Sequence, residues 1–292
     1  MDYICNPEKS PEMDIFSQIG PLRAFLDQKK SVVKSVGFVP TMGALHEGHL
    51  ALIKESRKEN TITVCSIYVN PTQFNNPDDL AKYPRTIERD IDMLKLVGCD
   101  VLFHPSNDEI YPENSIIAFD FGSLEQIMEG KFRPGHFSGV AKVVSKLFNI
   151  VQPHIAYFGQ KDFQQFKIVE NLVQELKFNV QLRCVPIQRE KDGLAMSSRN
   201  RRLSDEQRQN ALVFYQSLQL AKKLLEQGLS LSLIKEEVKK YCESKPGVSL
   251  EYLELAEATN FVQTESVKTN AILLIAGHVG EVRLIDNLLL NE

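Results

Sequence analysis

The sequence predicts an α/β protein: a doubly wound parallel sheet followed by a smaller C-terminal α+β domain. Three observations carry this. Apolar runs of strand length fall at residues 32–39, 61–69, 101–103, 155–158 and 180–187, with amphipathic helical stretches between most of them. The first run ends in a turn holding Pro40 and Gly43, then passes into a helical apolar pattern at Leu50, Leu52 and Ile53. After Ile187 the alternation stops, and helices at 205–226 and 232–243 precede strands at 249–255, 271–276 and 281–285. The expected division is therefore 1–187 and 188–292.

The individual elements follow from local pattern. Between the third and fourth strands, a helix beginning near Ser138 repeats Val140, Val143, Val144, Leu147, Phe148 and Val151 at three- and four-residue steps until Pro153 stops it. Lys142 and Lys146 fall on its other side as a solvated face. Residues 104–135 hold three prolines and one short strand candidate, 116–121, and irregular chain of this length covers an active site or meets a partner subunit. In the common winding order 3-2-1-4-5, the first and fourth strands are neighbours where the winding reverses, and ligands bind at that point.

Bulk properties narrow the function. A chain of 292 residues, 43% hydrophobic and 25% charged, is ordinary globular material, and a net charge of −4 offers no general attraction to nucleic acid or anionic membrane. Cys5, Cys65, Cys99, Cys184 and Cys242 contain no Cys-x-x-Cys pair and read as reduced thiols of a cytoplasmic protein. The first ten residues lack the apolar core of a signal peptide, and no run reaches membrane-spanning length.

Chemistry concentrates in four stretches. Pro40-Thr41-Met42-Gly43-Ala44-Leu45-His46-Glu47-Gly48-His49-Leu50 places two histidines three apart at a helix start, beside backbone N–H groups without intrahelical partners. Imidazoles there can donate to phosphate oxygens while Gly43 and Gly48 let the backbone come close, which suits a triphosphate losing pyrophosphate. Helix capping and a structural metal are also compatible with the spacing. A zinc-protease site is not, because it needs two histidines four apart. In the expected strand order, Gly159-Gln160-Lys161-Asp162 faces this turn across one crevice.

The stretch from Asp192 to Arg202, with Ser197, Ser198, Arg199, Arg201 and Arg202, reads as a phosphate clamp, a solvated segment or an RNA contact. Beside the histidine pair, the clamp is the better reading. Asn70 and Gln73 offer neutral amides that can hold a small hydroxy acid without tying its carboxylate to a cation, although Asn70-Pro71 also reads simply as a turn.

Five motifs, in order, resemble the pantoate–β-alanine ligase family: Pro40 to His49, Val69-Asn70-Pro71-Thr72-Gln73-Phe74, Tyr83-Pro84-Arg85-Thr86, Phe158-Gly159-Gln160-Lys161-Asp162-Phe163-Gln164-Gln165, and Gly193-Leu194-Ala195-Met196-Ser197-Ser198-Arg199-Asn200. The resemblance runs over nearly the whole chain after Asp14. It implies a nucleotidyltransferase-type Rossmann-like domain, a smaller C-terminal domain closing over the ATP site, a homodimer, a magnesium (Mg2+) requirement and a place in coenzyme A precursor synthesis. The implied reaction joins ATP and (R)-pantoate into pantoyl adenylate and pyrophosphate, after which the amine of β-alanine displaces AMP to give pantothenate.

Carried over by position, the resemblance makes Met42, Gly43, Ala44, Leu45, His46, Glu47, Gly48 and His49 the ATP-site lining, with His49 as proton donor and His46 supporting the phosphates. Gln73 and Gln165 would hold pantoate, with Asn70 beside them. Gly159, Gln160, Lys161, Asp162, Gln188, Met196, Ser197, Ser198 and Arg199 would make further ATP contacts, Lys161 and Arg199 at the phosphates. Many relatives carry two adjacent acids where this chain has Glu88-Arg89-Asp90, which leaves Asp90 as the candidate to approach magnesium through water. Another nucleotidyltransferase of the same fold, or a nucleotide- or RNA-binding module without catalysis, are the rival readings. A second phosphate-bearing substrate would need further cations, and binding alone does not need His46, His49, Lys161 and Arg199 around one crevice.

Overall fold

The computed structural model describes residues 13–30, 35–111, 116–265 and 270–290. Residues 32–34 of the first expected strand, and the first twelve residues with Cys5, lie outside these. The first unit runs β1 (Asp14–Phe16), α1 (Ile19–Lys30), β2 (Val36–Thr41), α2 (Glu47–Glu59), β3 (Ile62–Ile67), α3 (Pro77–Ala81), α4 (Ile87–Leu96), β4 (Val101–Phe103), α5 (Asn107–Ile110), α6 (Met128–Phe132), α7 (His136–Val151), β5 (Ile155–Gly159), α8 (Phe163–Leu176) and β6 (Gln181–Val185). The second runs α9 (Asp205–Glu226), α10 (Leu231–Glu243), β7 (Val248–Glu257), β8 (Ala271–Val279) and β9 (Val282–Leu289).

The first unit is a parallel sheet ordered β1-β4-β3-β2-β5-β6, so the expected winding holds, with one further strand at the edge. Side chains alternate across the strands. Phe38, Val64, Phe103 and Ala156 face α1, α7 and α8, whereas Val39, Cys65, Leu102 and Tyr157 face α2 and α4. Helices on both faces are what nearly continuous apolar strands require.

Helix α7 does the most to cover the sheet. Phe137, Val140, Ala141, Val143, Val144, Leu147, Phe148, Ile150 and Val151 are all buried along it, and Gln152 closes it in the left-handed region (φ 50°) directly before Pro153. Each large side chain buried there stabilises by about 1.5–3 kcal/mol, and cutting Leu147 to alanine costs about 2–5 kcal/mol.

Residues 116–121, expected as a strand, are irregular. The backbone there turns to α7 rather than to a ladder, with the Phe119 amide donating to Ser138 Oγ at 3.0 Å. The second unit packs α9 and α10 on an antiparallel sheet ordered β7-β8-β9 around its own apolar cluster. A separate seam, in which Met128 and Phe163 meet Tyr252, Phe261, Ile272 and Leu274, joins the two units. Among the described residues no helix is long and apolar enough to cross a membrane.

Candidate active site

Strands β2 and β5 pair only at Gly37↔Ile155 and Phe38↔Ala156. Beyond those pairs β2 continues with β3 to Thr41↔Ile67, and β5 with β6 to Gly159↔Val185. The two carboxyl ends therefore diverge at the switch point and open a cavity of about 200 Å³.

The turn after β2 forms one wall. Gly43 and Ala44 both take left-handed backbone angles, φ 78° and 51°, a conformation that costs a non-glycine residue free energy unless something holds it. Asp90 holds it: its carboxylate accepts from the Ala44 and Leu45 amides at 2.8 and 2.9 Å and from Thr86 Oγ1 at 3.1 Å, and the residue is 1% exposed. His46 then caps α2, its Nδ1 accepting from the Gly48 amide at 3.1 Å. A Cβ on Gly48 would come within 2.9 Å of that ring, so the small residue inside the helix start is what lets the imidazole lie there. The cap fixes the tautomer and leaves Nε2–H as the donor of His46.

The His49 ring lies 4.0 Å from that of His46, centroid to centroid, and its Nδ1 is buried with no hydrogen-bond partner in the structure. Burial pushes the His46 imidazole down to about 2, with His49, Lys161 and Arg201 adding to the effect. Burial likewise lowers His49 to about 4, against the pull of Asp162 and Asp90. Both rings are neutral at pH 7, and both line the cavity. A buried polar atom without a protein partner takes its hydrogen bond from a ligand or from water, and this one belongs to a residue of the cavity lining.

Gln73 stands on the opposite side, on a short helical turn after β3 that Asn70 caps. Asn70 Nδ2 donates to Gln73 Oε1 at 3.0 Å and to the Gly139 carbonyl at 3.1 Å, while Asn70 Oδ1 accepts from Thr72 Oγ1 and the Tyr111 hydroxyl. With its oxygen held, Gln73 presents Nε2 beside Met42 Sδ, 3.2 Å away. His136 Nδ1 donates to the Gln73 carbonyl at 2.8 Å. Helix α7 comes so close that a Cβ on Gly139 would sit 2.2 Å from the Thr72 carbonyl oxygen. Gln165 and the apolar side chains of Val143, Val144, Leu147 and Phe158 complete this end.

At the other end Lys161 leaves the turn after β5, and Ser197, Ser198 and Arg199 come from the strap between the units. Asn287 of β9 ties the lysine's turn down, and Asp286 beside it holds Arg189 of the strap through both guanidinium nitrogens, at 2.7 and 2.9 Å. Arg201 Nη2 reaches across to the Leu45 carbonyl at 2.9 Å, and the Tyr83 hydroxyl lies 3.4 Å from Ser198 Oγ. A buried ion pair joins the units as well. Glu129 accepts from Arg283 at 2.8 and 2.7 Å and from the Tyr252 hydroxyl at 2.9 Å. Burial alone would raise the Glu129 carboxyl, but these bonds hold it at about 2.

A family model for pantoate-beta-alanine ligase matches residues 14–289. The chain belongs to the pantoate–beta-alanine ligase family. It is 48% identical to a pantothenate synthetase of Aquifex aeolicus, covering 94% of this chain and 97% of that one. It is 45% identical to one of Thermotoga petrophila, covering 95% and 100%. A crystal structure of the enzyme from Thermus thermophilus superposes with a TM-score of 0.90 at 41% identity, over 96% of this chain and 100% of that chain. A pantoate-beta-alanine ligase from Francisella tularensis, solved with beta-gamma ATP and beta-alanine, superposes at 0.80 with 36% identity, over 95% and 98%.

Of the residues that the pantoate–beta-alanine ligase motifs single out, the cavity gathers Met42, His46, Gly48, His49, Asn70, Gln73, Gly159, Lys161, Asp162, Gln165, Gln188, Met196, Ser197, Ser198 and Arg199. The others lie elsewhere. Gly43 shapes the turn behind the wall, and Ala44 and Leu45 are fully buried, their amides taken by Asp90. Glu47 is exposed and pairs with Lys54 at 3.4 Å. Gln160 is 7% exposed and donates to Asn287 Oδ1 at 3.1 Å. Asn70 reaches the cavity wall with its amide donating to Gln73 Oε1 and the Gly139 carbonyl, directly behind Gln73. Asp90, the candidate to approach magnesium through water, has both oxygens engaged by the Ala44 and Leu45 amides and Thr86 Oγ1 and is 1% exposed. Sequence reasoning misses Tyr83 and Asn287 as site residues; Tyr83 at least lies in a motif, whereas no local pattern marks Asn287. Arg201, inside the clamp stretch, ties that stretch to the histidine loop.

Proposed function

We propose that this chain catalyses the ATP-dependent condensation of (R)-pantoate with β-alanine to pantothenate, AMP and diphosphate through pantoyl adenylate, a step in making pantothenate and hence coenzyme A. The observation that carries the reading is the pairing, across one cavity, of a pre-oriented neutral amide on Gln73 with the half-buried donors His46, His49 and Lys161. One end suits a small hydroxy acid and the other an anion that departs.

In the first step a carboxylate oxygen of pantoate bonds to the α-phosphorus of ATP, and the bond to the β-phosphate bridging oxygen breaks to release pyrophosphate. Pantoate is already ionised at neutral pH, so the protein supplies alignment and charge stabilisation rather than a base. His46 Nε2–H, His49, Lys161 and Arg199 are the donors that would meet the growing negative charge, and as neutral rings the two histidines add hydrogen bonds without overbinding the substrate. Gln73 and Gln165 would hold pantoate by amides, which leaves its carboxylate nucleophilic. In the second step the β-alanine nitrogen bonds to the acyl carbon, AMP leaves with the former carboxylate–phosphorus oxygen, and the amine gives up a proton.

Magnesium would enter with the nucleotide and would offset negative charge on its phosphates. Among the described residues no three His, Cys, Asp or Glu side chains converge on a cage, and Asp162, beside Lys161, is the cavity carboxylate left to face it. We further read the boundary between the units near Gln188, a homodimer and a cytoplasmic setting. Ile116 and Ile117, 96% and 63% exposed on the irregular segment, give a second copy an apolar contact, and the buried thiols Cys65, Cys99 and Cys242 suit a reducing compartment.

The test is pyrophosphate release from ATP and magnesium, with pantoate alone and then with β-alanine. Pantoate-dependent release, followed by AMP and pantothenate on adding β-alanine, is the expected result. No release with pantoate would remove the assignment.

A further inference from the structure

A second cavity, of about 440 Å³, opens behind the phosphate end and shares Lys161, Asp162, Ser197 and Arg199 with the first. Its wall includes α3, a short helix started by Asn76, whose Oδ1 accepts from the Asp78 amide at 2.8 Å, with Pro77 at its first position. Asp79 projects from this helix between two guanidiniums of the strap. Arg199 Nη2 donates to one carboxylate oxygen and Arg202 Nη1 to the other, each at 2.8 Å. All three side chains are about three-quarters buried.

Arg199 and Arg202 are three residues apart on one 3-10 turn, where side chains at that spacing eclipse. Two guanidiniums so placed repel, in a cavity wall whose other cations have carboxylates of their own: Arg133 and Arg283 pair with Glu129, and Lys161 lies 3.8 Å from Asp162. One carboxylate between the two guanidiniums cancels their mutual repulsion and leaves the trio cationic. It thus holds together side chains that would otherwise diverge, with Arg199 on the lining of the first cavity and Arg202 on that of the second alone. Burial would raise the Asp79 carboxyl, but the two arginines hold it below the ordinary range, so the carboxylate is charged at neutral pH.

We propose that Asp79 is a positioning residue for the adenylation step: it holds Arg199, through the shared pairing with Arg202, at the phosphate end of the cavity. The proposal rests on the reading above that Arg199 meets the ATP phosphates. It makes α3 part of the nucleotide machinery although no atom of that helix need touch the nucleotide. Asp79 acts on the phosphate end alone, and the pantoate end is held separately by Asn70 and Gln73.

The experiment measures kcat and KM for ATP and for pantoate, together with product inhibition by pyrophosphate, in the full-length Asp79→Ala, Asp79→Asn, Asp79→Glu and Arg199→Ala proteins. Losing a charge-assisted bond of this kind predicts a rise of about tenfold in KM for ATP and an equal weakening of pyrophosphate inhibition in Asp79→Ala. Asp79→Asn should follow it, Asp79→Glu should recover most of the loss, and KM for pantoate should stay within about twofold of the parent, since its binding groups are untouched. Native ATP and pyrophosphate behaviour in Asp79→Ala, with Arg199→Ala impaired, would overturn the proposal and leave the phosphate reading intact. Native behaviour in Arg199→Ala would overturn both. A uniform loss against every substrate with a lowered unfolding temperature would make Asp79 a structural residue and also overturn the proposal.

Discussion

The Asn287 side chain, on the last strand, spends both of its amide protons on consecutive carbonyls of the lysine turn, Gln160 at 2.9 Å and Lys161 at 3.0 Å, and accepts back from Gln160 Nε2 at 3.1 Å. It is 1% exposed. The C-terminal unit therefore fixes Lys161 by its backbone, through one side chain with every polar atom used. Asn287→Ala strands two buried carbonyls and a buried amide, so it should cost roughly 2–4 kcal/mol in urea unfolding. Pantoate-dependent pyrophosphate release should slow by at least about tenfold, because a small displacement of a catalytic group carries that penalty. Native release from the folded variant would separate the clamp from Lys161.

Asn70 has a comparable place behind Gln73. An aspartate there cannot donate to Gln73 Oε1, so Asn70→Asp should let the glutamine amide turn over and present its oxygen to the substrate carboxylate. The expected outcome is a KM for pantoate raised by about tenfold or more, with KM for ATP little changed. Equal changes in both constants would mean that the bond only supports the fold.

Asp90 separates two roles by experiment. As the acceptor for the Ala44 and Leu45 amides it should not tolerate asparagine, whose NH2 would face a backbone N–H. Asp90→Asn is expected to lower the adenylation rate by about a hundredfold, the penalty for one lost charge-assisted bond and one donor left facing another. The magnesium concentration for half-maximal rate should stay where it is. A large shift in that concentration would return the residue to the metal.

Three imidazoles, one buried and two half-buried, set an acid limit. His46, His49 and His136 are lowered from 6.5 to about 2, 4 and 3, in each case chiefly by burial. Above pH 6.5 neither folded nor unfolded chain protonates them, and their contribution is fully present. As pH falls below that value the unfolded chain takes up protons that the folded one refuses, so stability falls until the folded values are reached. Each imidazole should contribute a slope of about 1.4 kcal/mol per pH unit within its window. Urea midpoints between pH 7 and pH 5 should therefore drop steeply, and His49→Gln should flatten the dependence by one share. An unchanged slope would take His49 out of the set.

How far the sequence reveals this molecule depends on the distance over which each residue acts. The inner strands and α7 are legible because their apolar repeats are long. β1 is not, since Asp14-Ile15-Phe16 is too short to show any alternation. Residues 116–121 resemble a strand because their apolar content fits one, yet a single hydroxyl on Ser138 takes their backbone. Within the site, the two histidines, Gln73 and Lys161 stand out because they lie on turns that directly follow strands, and Arg199 because it sits in a short run of hydroxyls and cations. Asn287 lies 127 residues from Gln160, and nothing near it in the chain signals the contact. Asp90 is reached only through the family resemblance, and nothing in the local sequence shows that its oxygens accept from the Ala44 and Leu45 amides 46 and 45 residues away.

The near-contact between Gly139 and the Thr72 carbonyl has a consequence for how this enzyme can change over generations. Where two main chains meet without a side chain between them, no substitution can deepen the acid pocket, and any enlargement at Gly139 pushes Gln73 out of line. Drift toward a larger or smaller acid falls instead to side chains such as Val143, Val144, Leu147 and Phe158, and each such change also disturbs the packing between α7 and the sheet.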